Sequence, residues 1–309
     1  MNTTPKPQVQ LEVTELRTLE GNYQTLAINL LKPGELIEPK VLAELELPSE
    51  LDLSREVILF GQAPIWLYSY LVNRCHEAPW VGCYDARKKL AVVVQSRVSE
   101  KAAGDELLAS PNPTLCPAIF IGGPPDSGKS VLSNALRLSL MQKLQKRVFL
   151  HRANWDGDGN WKHESSNREL VKKLALENEN RLHEKAKELL PKYFIDQAQA
   201  VRNLRELVDL VLVDVGGQVQ SEKAPLVPSC THYIIISRDC EAIAQWHDFC
   251  RPTLKPLAVI HSVLDHREEI LQTQPVLEMV AGRWQEGERS SVPDELLQEV
   301  LRHWTVPED

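Results

Sequence analysis

The chain has 309 residues, 43% hydrophobic and 25% charged; this suits two folded domains at roughly 100–200 residues each and excludes disorder and fibrous repeats. With 35 Lys and Arg against 43 Asp and Glu, the formal net charge is -8, which argues against a broadly basic surface for DNA or other long nucleic acids. No run of 18 apolar residues exists for a membrane helix and Met1–Gln10 lacks an apolar signal segment, so no membrane partner is expected and the expected location is the cytoplasm.

In chain order, Val9 to Leu16, Asn22 to Leu30, Val57 to Phe60, Trp80 to Tyr84 and Leu90 to Val94 are rich in strand formers, while Pro64 to Cys75 reads as one helix. In that helix Leu67, Leu71 and Cys75 recur every four residues as a buried stripe, and Pro64 suits the first helical position. Residues 1–98 are therefore expected to form a small α+β domain. Ser99 to Pro113, with Gly104, Pro111 and Pro113 and little apolar periodicity, reads as an exposed linker. Residues 114–309 then alternate: strand Ala118 to Gly122, helix Lys129 to Leu144, strand Arg147 to His151, a charged helical stretch Glu169 to Leu190, and strands Val208 to Val213, His232 to Ile236 and Leu257 to Ile260. That order predicts an α/β domain with a parallel sheet covered by helices. Cys75, Cys83, Cys116, Cys230, Cys240 and Cys250 form no CxxC pair, so reduced and mainly buried thiols are expected rather than disulfides or a zinc site.

The most specific motif is Gly123-Pro-Pro-Asp-Ser-Gly128-Lys129-Ser130, a GxxxxGK[ST] loop between an apolar strand and a helix. In such a loop the backbone N–H groups and the helix N-terminus cradle phosphates, Lys129 reaches the β/γ oxygens and Ser130 ligates magnesium. The bland alternative is a glycine-rich turn that binds nothing, and Asp126 disfavours a polyanion unless it points outward. Downstream, Leu210-Val-Leu-Val-Asp214 is an apolar strand ending in an aspartate. Asp214 then holds magnesium opposite Ser130, or merely starts a turn. Asp214, Gly217 and Gln218 also spell the DxxGQ of a GTPase switch, but no NKxD for guanine follows, which leaves ATP or another adenine nucleotide as the expected ligand. The Trp155–Trp161 stretch fails calcium-loop spacing; a substrate-contacting loop and a solvated turn both remain open.

In the first domain the chemistry-bearing residues are His76, directly after the helix, and Asp85 and Arg87, which alternation along a strand places on one face. Taken alone, these are an ordinary surface ion pair and a helix-capping histidine. The segment from Val57 through Gly61, Pro64 and Trp66, then His76, then Tyr84-Asp85-Ala-Arg87-Lys-Lys-Leu-Ala-Val-Val-Val, resembles the small CRISPR-associated ring nucleases of type III systems, a family sometimes fused to an ATPase-like domain. The resemblance covers most of residues 8–98. It implies a manganese-dependent nuclease that degrades the second messenger cyclic tetra-adenylate to linear di-adenylate, with His76, Asp85 and Arg87 catalytic; Arg74, Lys88 and Lys89 lie nearby and can supply a local positive field for binding the fourfold anion.

A cyclic oligoadenylate carries its own nucleophile, the ribose 2′-OH, so alignment and proton handling suffice for cleavage. In that scheme His76 is acid/base or ligand, Arg87 binds phosphate and Asp85 orients Arg87 or holds metal. Attack by manganese-bound water fits the same residues. Gln95 and Ser96 stand where some relatives carry further polar or histidine residues, so the metal ligands stay unassigned. A ring of repeated phosphates suits a homo-oligomer. Two alternatives stand beside the nuclease: a nucleotide or metabolite kinase using Lys129, Ser130 and Asp214, and a non-catalytic cyclic oligoadenylate sensor.

Overall fold

The computed structural model describes residues 8–31, 37–61, 63–110, 115–144, 147–155, 189–284 and 291–304. The expected helix Glu169 to Leu190, up to residue 188, and the loop after Trp155 lie outside the described residues. The chain divides into two compact units that break between Asn112 and Pro113.

The first unit is a six-stranded mixed sheet in the order β1-β2-β3-β4-β5-β6: β1 (Val9–Arg17), β2 (Asn22–Leu30), β3 (Val57–Gly61), β4 (Trp80–Asp85), β5 (Leu90–Ser96) and β6 (Glu106–Leu108). β2, β3 and β4 are parallel, whereas β1, β5 and β6 pair antiparallel with their neighbours. Side-chain alternation divides the sheet's faces: Leu26, Ile28, Val57, Leu59 and Val81 form one core with Leu67, Leu71 and Cys75 of α1 (Ile65–Arg74). On other strand positions, Tyr23 meets Trp80 and Phe60 meets Tyr84 edge to face at centroid distances of 5.1 and 5.5 Å. Pro64 stands one residue before the helix, as its extended N-cap, and not at its first position as expected.

Two expectations for this unit are corrected. Residues 99–113 are not simply a linker, because Glu106–Leu108 adds the sixth strand through Leu90↔Leu108 and Val92↔Glu106. The sheet's first and last strands then meet: Thr18 bridges Ala109, Leu19 N donates to Leu108 O at 3.0 Å and Ser110 N donates to Arg17 O at 2.9 Å. This pairing satisfies edge groups that would otherwise be open to another chain, and it extends the domain past residue 98. Such a three-residue strand carries too little periodicity to be read from sequence.

The second unit is a seven-stranded sheet in the order β12-β13-β11-β10-β7-β9-β8. Its strands are β7 (Ala118–Gly122), β8 (Val148–Arg152), β9 (Leu210–Asp214), β10 (His232–Ser237), β11 (Lys255–Ser262), β12 (Glu268–Gln272) and β13 (Leu277–Ala281). All but the edge strand β12 are parallel. From β7 the chain crosses to β8, returns to β9 and then passes to β10 on the other side of β7, so the order reverses at β7. Ligands of open parallel sheets bind at the strand carboxyl ends beside such a reversal.

Ile119 and Ile121 of β7 share a core with Leu132, Ala135, Leu136 and Leu140 of α2 (Lys129–Leu144) and with Leu296, Leu297 and Val300 of α5 (Asp294–Arg302). Phe120, between them, meets Trp246 and Phe249 of α4 (Cys240–Cys250). Residues 189–204 are helical and form α3. Helices thus cover both faces, the α/β architecture expected. β12, β13, α4 and α5 were not anticipated. For α4 the signal was present: Asp239 caps it by accepting from Glu241 N at 2.9 Å, and Ile243, Trp246 and Cys250 are buried at helical spacing.

Candidate functional site

The glycine loop leaves β7 at its carboxyl end and enters α2. A side chain at Gly123 would place its Cβ 2.1 Å from the Ile236 carbonyl oxygen, so only glycine lets the loop pass this close to β10. Gly128 has φ +93°, and a Cβ there would lie 2.5 Å from Cβ of Trp284. Lys129 is buried, and its ammonium donates to Pro124 O across the loop at 2.7 Å. Ser127 is buried too, and its Oγ has no hydrogen-bond partner among the described residues. A buried hydroxyl left without a partner inside a cradle of N–H groups fits an anion in the loop. Asp126, the expected obstacle, is exposed; its φ is +56°, and its carbonyl accepts from Arg238 at 3.1 Å.

Ser130 and Asp214 come together as expected, with Ser130 Oγ donating to Asp214 Oδ2 at 2.7 Å. Asp214 is fully buried at the end of β9, so hydroxyl and carboxylate converge beside the loop as magnesium ligation requires. Gln218 is exposed. The loop that carries it is held by Lys223, a residue not singled out from the sequence. Its buried ammonium donates to the carbonyls of Gly216 and Gln218 and lies 5.7 Å from the Trp246 ring centroid and 6.0 Å from that of Phe194. Lys223 falls in a 3-10 segment, Ser221–Ser229, and no motif marks it. Arg238, one residue past β10, carried a signal that strand counting offers: the strand beside β7 ends there.

In the first unit the catalytic candidates separate into two groups. Asp85 closes β4, and Ala86–Lys89 is a turn, not the strand expected for Arg87, with Lys89 at φ +57°. The turn still pairs the two residues: Arg87 Nε and Nη2 donate to Asp85 Oδ1 and Oδ2 at 3.1 and 3.0 Å, and Arg87 N donates to Oδ1 at 2.9 Å. Partial burial raises the Asp85 pKa, but these bonds from Arg87 outweigh it and hold the carboxyl below its usual range. Lys88 and Lys89 share this turn.

His76 is elsewhere. It follows α1, its Nδ1 lying 2.8 Å from Asn73 O, and the chain then enters β4 at Trp80. Since Asp85 ends the same strand, the length of β4, roughly 16 Å at about 3.3 Å per residue, separates His76 from the Asp85–Arg87 pair. Arg74 goes with His76; its guanidinium donates to Tyr70 OH at 2.8 Å and lies over that ring. Arg97, which sequence reasoning passed over, reaches the same end, donating from Nη1 to Glu77 O at 3.1 Å. Within one chain, His76 and the Asp85–Arg87 pair thus stand at opposite ends of β4.

Comparison with known proteins gives the following. Residues 30–107 match the family described as CRISPR-associated protein (Cas_csx3). An uncharacterized protein of Aquifex aeolicus (strain VF5) is 41% identical over 49 residues, 16% of this chain, and the match spans only 44% of that curated relative. Among solved structures, cobyrinic acid a,c-diamide synthase from Mycobacterium smegmatis with bound ATP analog and magnesium is 12% identical, with a TM-score of 0.41, over 63% of this chain and 97% of that one. The septum site-determining protein MinD complexed with Mg-ADP from Pyrococcus horikoshii OT3 is 13% identical, TM-score 0.31, over 60% and 77%. A nucleotide-binding protein in complex with ADP from Archaeoglobus fulgidus is 12% identical, TM-score 0.32, over 59% and 84%.

Proposed function

We propose that the chain is a ring nuclease that opens cyclic tetra-adenylate to linear di-adenylate, acting as a homo-oligomer whose second unit binds a nucleotide. The observation that carries this is the CRISPR-associated match, which spans His76, Asp85 and Arg87. The geometry adds a condition. One chain offers His76 and Arg74 at one end of β4 and Arg87, Lys88 and Lys89 at the other, so a ring held between the His76 end of one copy and the Arg87 end of another meets both sets.

The chemistry then needs no side-chain nucleophile. At two opposite linkages of the ring a ribose 2′-oxygen attacks the adjacent phosphorus, a 2′,3′-cyclic phosphate forms, and the bond to the 5′-oxygen breaks, so that two linear di-adenylates result. The 2′-OH proton passes to a base, and an acid returns one to the 5′-oxygen. Imidazole suits both tasks. Arg87, pre-oriented by Asp85, stabilises the charge that grows on the phosphate, since a guanidinium has more donors than one carboxylate takes. Manganese finds no fit within one chain: among the described residues no three His, Cys, Asp or Glu side chains cluster, and both Asp85 oxygens accept from Arg87. No step of this cleavage is routed through the ion. In the second unit Lys129 and the loop would hold the phosphates of ATP, and Ser130 with Asp214 would hold magnesium, which would neutralise phosphate charge.

The test is a mixing experiment on labelled cyclic tetra-adenylate, with products resolved by chromatography. His76→Ala should lower turnover by about 10²–10⁴-fold, and Arg87→Ala should also be nearly inactive. Mixed together, the two variants should regain activity, because some interfaces then contain an intact His76 and an intact Arg87. A mixture as inactive as its components, beside an active wild type, overturns the two-copy site. An intact ring with wild type overturns the nuclease itself; binding without turnover then favours the sensor, and ATP-dependent phosphorylation of a metabolite favours the kinase, which the Ser130–Asp214 contact supports.

A further inference from the structure

The glycine loop fixes where phosphates go but not what recognises the rest of the nucleotide, and the chain has no NKxD to read guanine. The direction of the ligand follows from the metal side. Ser130 and Asp214 mark the side of the loop toward β9. Magnesium held by Ser130 and Asp214 would neutralise charge on the terminal phosphates of a nucleoside triphosphate. The terminal phosphates therefore lie toward β9, and the nucleoside leaves on the other side, where β10, β11 and β13 end.

Among the described residues, Trp284 and Arg238 reach the loop on that side. Trp284 follows β13 and sits against Gly128, occupying the position a Cβ would take, with its Cβ 2.5 Å, Cγ 2.9 Å and Cδ1 3.3 Å from that point. Its indole Nε1 donates to Ala281 O at 2.7 Å, and the residue packs against the core while staying only half-buried. Arg238, exposed, donates to the Asp126 carbonyl at the loop's tip.

We propose that Trp284 is the platform on which a purine base stacks when a nucleotide occupies the glycine loop, with Arg238 bounding the same subsite. This rests on the reading of the second unit as nucleotide-binding. A flat indole face recognises a base by area and polarisability and not by hydrogen-bond pattern. The subsite therefore favours purines over pyrimidines and separates adenine from guanine weakly.

The test measures equilibrium binding to the full chain in magnesium, with ATP, GTP, CTP and inorganic tripolyphosphate, for wild type, Trp284→Phe and Trp284→Leu. The wild type should bind ATP and GTP within a few-fold of each other and CTP more weakly. Trp284→Leu should weaken ATP about tenfold, the scale of ring–base stacking, while leaving tripolyphosphate unchanged; Trp284→Phe should keep most of the ATP affinity. If ATP and tripolyphosphate weaken equally in Trp284→Leu, the indole only shapes the loop and the proposal is overturned. Equal affinity of the wild type for ATP and CTP overturns it as well, and this arm stands even where the Leu variant unfolds. A wild type that binds tripolyphosphate but gains nothing from the nucleoside rejects the base subsite alone, whereas one that binds neither rejects the nucleotide-binding reading beneath it.

Discussion

Individual residues in the second unit are held by contacts that substitution should expose. Gly128→Ala must accommodate a Cβ on a left-handed backbone and against Trp284, so a loss of about 1–3 kcal/mol is expected, read as a lower unfolding midpoint in denaturant. Lys223 is a buried cation whose carbonyl partners belong to the loop after Asp214. Lys223→Met keeps much of the volume but leaves the carbonyls of Gly216 and Gln218 without this donor, at a cost of about 1–3 kcal/mol. Hydrogen exchange at Gly216–Gln218 should accelerate in that variant, and unchanged exchange there would rule out the clamp. The Lys223 clamp was not legible in the sequence, since Lys223 belongs to no motif and gains its role from Trp246 and Phe194, which are distant along the chain. Lys129, Ser130 and Asp214 were legible because a phosphate loop needs those residue types at fixed offsets.

At the scale of elements, α4 joins a local signal to a tertiary one. Asp239 supplies the cap and Trp246, almost fully buried, fills the space over Phe120 and Gly122. Asp239→Ala should cost about 1 kcal/mol and Trp246→Ala about 3–5 kcal/mol, an ordering that thermal denaturation can check. Strands β1 to β5 were readable from their apolar runs. β6 was not, because three residues become a strand only when β5 and Thr18 give their backbone groups partners. The Asp85–Arg87 pair teaches a related lesson: adjacency was inferred from strand alternation, yet a turn produces it, since the turn's geometry returns Arg87 N to the carboxylate of Asp85.

For the whole molecule, two half-buried histidines make the second unit sensitive to acid. Burial pushes His151 down to about 4, and burial with the neighbouring charges of His303 and Lys255 pushes His232 to about 4. Between their ordinary value near 6.5 and about 4 the unfolded chain binds protons the folded one refuses, so stability is full above about 6.5 and falls as pH drops toward 4. For His151 the loss is on the order of 2 kcal/mol. A thermal midpoint that falls between pH 6.5 and 4.5 in the wild type should fall less in His151→Asn; equal slopes would exclude His151 as the titrating group.

The sequence alone determined the elements whose signals are local: the phosphate loop, the apolar strands of the parallel sheet and the stripe of α1. Only the tertiary structure decided which of those residues meet. It closed the first sheet through β6, seated Trp284 and Arg238 on the glycine loop, and set His76 and Arg87 at opposite ends of β4. The physical reason is that spacing along a chain fixes the face and the end of an element on which a side chain lies, whereas the distance between elements follows from their direction and pairing. A helix that crosses back between two parallel strands delivers the chain to the far end of the sheet, so the chain from His76 to Asp85 spans its length.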